Sequence, residues 1–232
     1  LRRVRSYRIV RGFQQRTNTN TKTIINYRMA EISHTYPEIF KLVGNTPMVP
    51  ITIFSEEFPG ARVSAKAEFM NPGGSLKDRP VARMLLKAVE RGELGEGKAI
   101  LDSSSGNAGI AYAMFGRALG CDVELVVPGN ASEERLQRMR AHGAIMTLTD
   151  PLEGYDEALR KAHRRMDERP EDYFFSDQYS NDDNWLAHYE NTSVEILRQA
   201  QEITHFVCGI GTGGSITGIS RRLKEENSNV VV

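Results

Sequence analysis

"KAILDSSSGNAGIAYAMFGRALG", residues 98–120, reads as a strand, a polar turn and a helix in immediate succession. Its opening run is a short apolar segment of strand length. The run after Asn107 carries small apolar residues at helical spacing and stops at Gly120, a residue suited to end a helix. The same unit recurs on both sides. Upstream, "VSAKAEF" (63–69) is strand-like and leads through "NPGGSLKD" (71–78) into the helical pattern "RPVARMLLKAVERGEL" from Arg79. Downstream, "DVELVVP" (122–128) precedes "ASEERLQRMRAHG" (131–143), where Ser132 can cap and Glu133 and Glu134 suit the positive first turn. The alternation continues through "AIMTL" (144–148), a helix over 155–168, "YFFSD" (173–177) and a helix over 185–199. It closes with "THFVCGIG" (204–211), the helix "SITGISRRLKEEN" (215–227) and "NVVV" (229–232). Strands rich in Val and Ile that alternate with helices predict an α/β fold: a parallel sheet covered by helices on both faces. In such sheets ligands bind beyond the carboxyl ends of the strands, where loops enter helix N-termini.

Bulk properties narrow the function classes. At 232 residues the chain can bury a sizeable core, as one large domain or two small ones. Its 30 basic and 30 acidic side chains give no reason to expect nucleic acid or an anionic membrane as partner. No apolar run approaches the length of a membrane span. Cys121 and Cys208 lie far apart, and the five histidines are scattered without metal-ligand spacing. A reducing, cytoplasmic setting and no metal site are therefore expected. Residues 1–30 hold eight lysines and arginines and no acid. They read as an organelle transit peptide or as upstream sequence before a true start at Met29. The chain stops at Val232 within a strand-like run, so a piece of a longer enzyme is expected.

Three turns carry the chemistry. In "GIGTGGS" (209–215) the glycines let backbone approach an anion, and the helix that follows offers free N–H groups to a phosphate. Thr212 and Ser215 add hydroxyl donors. The turn is neither a Walker A loop nor a dinucleotide fingerprint, and a plain strand-to-helix turn would also account for it. In "SSSGNAG" (103–109), Ser104, Ser105, Gly106 and Asn107 sit at a helix start, suited to grip a carboxylate; simple N-capping is the plainer alternative. In "NPGGSLKDRP" (71–80), Lys77 is either a solvated surface charge or an amine kept for covalent chemistry. Desolvation and nearby positive helix ends would lower its pKa, and such an amine bonds carbonyls. Pyridoxal phosphate carries both an aldehyde and a phosphate.

"GNTP" (44–47), "NPGGSLKDRP", "SSSGNAGIA" (103–111) and "GIGTGGSITG" (209–218) occur in the order and spacing of the fold-type II pyridoxal-phosphate enzymes. The chain most resembles their cysteine synthase and cystathionine β-synthase group, from about Leu42 to Val232. The resemblance implies two three-layer αβα domains like those of the tryptophan synthase β-subunit. These would be a basic extension over 1–38, an N-terminal domain over 39–180 and an incomplete second domain over 181–232. It implies that Lys77 bonds the cofactor and moves the substrate's α-proton, and that Asn107 hydrogen-bonds the cofactor's 3′-oxygen. Gly211, Thr212, Gly213, Gly214 and Ser215 match the phosphate loop. Ser104, Ser105 and Gly106 match a loop that closes on the amino-acid carboxylate, and Gln178 a glutamine contacting the same group. Asp78 and Arg79 look like residues that hold the lysine turn. Ala108 stands where the family usually has threonine, so one hydroxyl is missing; Ser104 and Ser215 replace threonines but keep theirs. The family's partner for the pyridine nitrogen falls in a later segment that this chain lacks. The implied reaction is β-replacement on an O-acetyl or O-phospho ester of serine by a sulfur nucleophile, in a homodimer. The alternatives within the family are cystathionine β-synthase and serine/threonine dehydratase activity, and "KDRP" fits the synthases better than the dehydratases. Outside the family, the alternatives are a fragment that binds phosphate without catalysis and an unrelated nucleotide-binding α/β domain, which the missing Walker and dinucleotide signatures disfavour.

Overall fold

Apolar side chains along the central strands point alternately to two separate cores, and this period-two pattern sets the architecture. The structure, a computed structural model, describes residues 36–95, 97–200 and 202–232. The basic segment read from the sequence as a transit peptide or upstream extension lies almost wholly outside the described residues.

Four strands, β3 (Ala99–Ser103), β4 (Val123–Pro128), β5 (Ile145–Thr149) and β6 (Tyr173–Phe175), form a parallel sheet in the order β5-β4-β3-β6. Ile100, Val123, Leu125, Val127 and Phe174 face a large core shared with helices α1 (Asp78–Arg91), α2 (Asn107–Leu119) and α3 (Glu133–Ala141). Leu101, Val126 and Tyr173 face the opposite way, onto Ala158 and Ala162 of α4 (Gly154–Glu168). Helices thus cover both faces, as the sequence predicts. Helix α2 ends as expected: Gly120 adopts φ 79°, and its N–H and that of Cys121 turn back onto the carbonyls of the last helical turn. Ser132 does precede α3, but its side chain makes no capping bond.

Three expectations need correction. Residues 63–69 do not join the parallel sheet. β2 (Val63–Lys66) pairs antiparallel with β1 (Met48–Ile51) in a separate two-stranded sheet, and Glu68–Met70 turn as a short 3₁₀ segment. Periodicity identifies a strand but not its neighbour. The helix read over 185–199 begins earlier and is interrupted: α5 (Asp182–Ala187) runs through a π-turn (His188–Thr192) into α6 (Ser193–Gln199). Finally, residues 204–211 and 229–232 form no ladder. They meet at a single parallel bridge, His205 with Val231, before helix α7 (Gly214–Glu226) and after it. Val207 and Ile210 are 90% and 75% exposed, so among the described residues no neighbouring layer stabilises an extended pairing there. A third small core, Ile196, Ile219, Leu223 and Val230, joins α6 and α7.

Candidate active site

Lys77 is the last residue before α1, with φ −68° and ψ −17°, so its amine belongs to a helix N-terminus. Burial pushes its pKa down, and the positive end of the helix disfavours a cation in the same direction. Among the described residues its Nζ makes no hydrogen bond or ion pair. The side chain is a partly desolvated amine, not a solvated surface charge.

The turn that presents it is tied at almost every residue. Ser75 Oγ accepts the Lys77 N–H at 3.1 Å, and Asp78 Oδ2 accepts the Gly73 N–H at 2.5 Å. Arg138 of α3 donates to the Gly73 carbonyl at 2.9 Å. Gly74 takes φ 82°, which lets its N–H close back on the Asn71 carbonyl at 2.8 Å. Burial raises the Asp78 carboxyl to about 6, opposed by the Gly73 N–H.

Behind the turn lies a buried polar hub centred on Arg79. Its guanidinium pairs with Glu68 at 2.7 and 2.8 Å and with both oxygens of Glu195 at 2.8 Å. Lys66 adds a 2.7 Å ion pair to Glu195, and Thr46 and Asn71 donate to Glu68 at 2.7 and 2.9 Å. The "GNTP" motif feeds the same hub through its backbone: the Gly44 N–H donates to Asn71 Oδ1 and the Asn45 N–H to Glu195 Oε1, each at 2.9 Å. Burial disfavours the Glu195 charge, but Arg79 and Lys66 hold its carboxyl down at about 2. Its stabilising contribution is therefore complete above its ordinary value near 4.5 and is lost as pH falls towards 2.

The second turn follows β3. Ser104 is buried, and its Oγ accepts the Gly106 and Gly109 N–H groups at 3.3 and 3.0 Å. The capping explanation thus holds for Ser104, whose hydroxyl keeps only its proton to donate. Ser105 and Gly106 are half-buried, Asn107 is exposed where α2 opens, and Ala108 is buried. Beneath the turn Asp102 is buried at the end of β3 and accepts the Ser103 N–H at 2.6 Å. Burial raises its carboxyl to about 7, against the opposing influence of Tyr112 and Gln178.

Gln178, past the end of β6, is buried. Its carbonyl accepts from Asn184 Nδ2 at 2.5 Å, and the same amide donates to Thr212 Oγ1 at 2.9 Å. Thr212 belongs to the third turn. Gly209, Ile210 and Gly211 are exposed there, Gly213 takes φ 84°, and Gly214 opens α7 against the Asn184 side chain. Ser215 lies beside the Cys208 thiol, whose pKa burial raises and Ser215 lowers.

The structure therefore joins Gln178 to Thr212 through one asparagine. No hydrogen bond or ion pair links Lys77, Asn107 and the 211–215 loop to one another among the described residues. α1 packs on both α2 and α5, and α5 packs on α7. The helices opened by Lys77, Asn107 and Gly214 thus form one connected cluster. A desolvated, unpaired amine and a glycine turn opening a helix fit a group that carries an aldehyde and a phosphate. The same residues can move a proton at carbon and hold an anion.

Sequence reasoning missed Asn184, Glu68, Glu195 and His188. His188 is buried on the π-turn, shares a 3.0 Å contact with Thr192 Oγ1 and is held near 3, chiefly by burial. The available signal was "NDDNWLAHYENTSVEI" (181–196), which puts polar residues on the face that an amphipathic helix would bury. Among the described residues no group of three or more His, Cys, Asp or Glu could hold a metal ion, and no helix is long and apolar enough to cross a membrane.

Comparison with known proteins gives a consistent result. The model of a family described as "Pyridoxal-phosphate dependent enzyme" matches residues 39–232. A cysteine synthase of Aquifex aeolicus is 51% identical over 197 residues, 84% of this chain and 60% of its own length. A cystathionine beta-synthase of Apis mellifera is 34% identical over 92% of this chain and 43% of its own length. The crystal structure of a cysteine synthase from Entamoeba histolytica superposes with a TM-score of 0.78 at 31% identity, covering 94% of this chain and 62% of that one. The chain spans about 60% of the length of the curated cysteine synthases it matches.

Proposed function

The chain belongs to the pyridoxal-phosphate-dependent enzyme family, and on that premise we propose that its protein catalyses β-replacement on an activated serine with a sulfur nucleophile. The ester is O-acetylserine or O-phosphoserine and the nucleophile is sulfide, as in a cysteine synthase. The observation that carries this reading is Lys77, a half-buried amine at a helix N-terminus with no partner among the described residues.

When bound, pyridoxal phosphate supplies an electron sink for the charge that develops at the substrate's α-carbon. Lys77 Nζ would hold that group through its aldehyde carbon, and as a free neutral amine it would accept the substrate's α-proton. A lowered pKa serves both tasks, because only the neutral amine attacks carbon or accepts a proton. The N–H groups of Gly211, Gly213, Gly214 and Ser215 and the hydroxyls of Thr212 and Ser215 would hold the phosphate at the start of α7. Asn107 would donate its amide to the cofactor's ring oxygen. Ser105, Gly106 and the proton of Ser104 bind the amino-acid carboxylate with the Gln178 side chain. Residues 39–180 then form the lysine-bearing domain and 181–232 begin the second, in a homodimer. The proposed compartment is the cytoplasm, or an organelle if residues 1–28 act as a transit peptide.

A panel assay tests the assignment. Purified protein loaded with pyridoxal phosphate is offered O-acetylserine or O-phosphoserine with sulfide, serine with homocysteine, and serine alone. Cysteine as the main product supports the reading. Cystathionine from serine and homocysteine, or pyruvate from serine alone, would reassign the chain within the family, and cofactor binding without any turnover would overturn a catalytic role.

A further inference from the structure

We propose that Asn184 is the positioning residue for the phosphate loop, coupling that loop to the Gln178 segment from behind. The inference rests on the cofactor reading given above and extends it to a side chain that touches no reactant.

Asn184 is 4% exposed on α5, a helix that belongs to neither turn. Both hydrogens of its amide are committed, one to the Gln178 carbonyl at 2.5 Å and one to Thr212 Oγ1 at 2.9 Å. These two acceptors lie 34 residues apart in sequence (212 − 178) and flank the carboxylate and phosphate ends of the proposed site. The remaining atom, Oδ1, is buried without a partner and faces Gly214. A buried carbonyl oxygen left unpaired costs stability, which the two hydrogen bonds from the same amide offset. Gly214 is shaped to this arrangement: any side chain there would enter the van der Waals envelope of the Asn184 amide.

The mechanical consequence follows from the loop's other contacts. Gly209, Ile210 and Gly211 are exposed, and Gly213 lies in the left-handed region. Such a loop loses much conformational freedom when it closes around an anion. By accepting from Asn184, the Thr212 oxygen fixes its own rotamer and leaves its O–H directed away from the amide, as a donor to phosphate. Part of the ordering is thereby completed before the phosphate arrives, and the effect acts only on ligands that carry one.

The test compares two ligands that differ in that group. Apparent affinities of pyridoxal phosphate and of pyridoxal are measured by absorbance titration on the wild-type chain, Asn184→Ala, Thr212→Val and the double variant. Asn184→Ala should lower the preference for pyridoxal phosphate over pyridoxal by about tenfold, the worth of one well-placed hydrogen bond. In the Thr212→Val background the same substitution should change that preference little, because the coupling runs through Thr212. If Asn184→Ala does not fold, Asn184→Leu keeps most of the volume against Gly214 while removing both donors, and the same loss of preference is expected. Equal weakening of both ligands, or additive effects in the double variant, would overturn the proposal. A wild-type chain that binds neither ligand would instead overturn the cofactor reading, and this inference with it.

Discussion

The lysine turn and the phosphate loop are both glycine-rich entries into helices, yet they are held in opposite ways. Residues 71–79 are largely buried and fixed by backbone-to-side-chain bonds from Ser75, Asp78 and Arg138, with the Arg79 hub behind them. Residues 209–211 are exposed and 212–213 half-buried, and among the described residues the side-chain hydrogen bond that reaches them is the one from Asn184 to Thr212. The contrast follows from what each turn must present. An amine that bonds carbon has to stay desolvated and aimed, so the structure around it is over-determined. A turn that cradles an anion has to leave its N–H groups open, so its support can come only from the rear.

The largest expected effect breaks the lysine side of this contrast. Arg79→Ala removes the cation shared by half-buried Glu68 and buried Glu195, leaving Lys66 alone to offset both carboxylates, and should cost about 3–5 kcal/mol of stability by denaturant unfolding. Loss of stability no greater than for a typical surface substitution would mean that the hub is not what fixes the turn. A smaller effect is expected on the other side. Gly214→Ala drives a methyl group into the Asn184 amide and should cost about 1–3 kcal/mol. It should also weaken pyridoxal phosphate binding more than Arg79→Lys does, measured on whatever fraction of each variant is folded. The smallest effect concerns pH and belongs to the lysine turn alone. The Asp78 carboxyl is raised to about 6 in the folded chain against an ordinary value of 3.8. The folded state therefore holds its proton more tightly, and stability from this group falls as pH rises from about 4 to about 6. Asp78→Asn removes that titration, so the difference in melting temperature between variant and wild type should move in the variant's favour across that window. A constant difference would show that Asp78 does not titrate there.

The two regions also differ in how they could be read from the sequence. Both turns were legible, because glycine placement, hydroxyls and the lysine are local signals tied to one helix start each. The parallel sheet was legible from period-two alternation joined to helical runs. The supports were not. Arg79 meets Glu195 across 116 positions, and Asn45 meets Glu195 across 150. No local spacing announces pairings of that kind. The family resemblance implies a holding role for Arg79, but nothing in the sequence names its partners. Asn184 lay in a polar stretch that read only as part of a helix, since nothing local marks a side chain as buried. The period-two pattern identifies residues 63–66 as a strand but not their antiparallel partner, because strand periodicity carries no information about direction of pairing. The run at 204–211 is apolar enough to be a strand, but among the described residues it meets only Val231, through one bridge at His205.

The central claim is that Lys77 carries the cofactor, and its most direct test is chemical. The protein is loaded with pyridoxal phosphate, reduced with borohydride, digested and mapped by peptide mass spectrometry. The expected result is a pyridoxyl phosphate adduct on the peptide containing Lys77, absent from Lys77→Ala. An adduct confined to other lysines, or none in protein that binds the cofactor, would contradict the account.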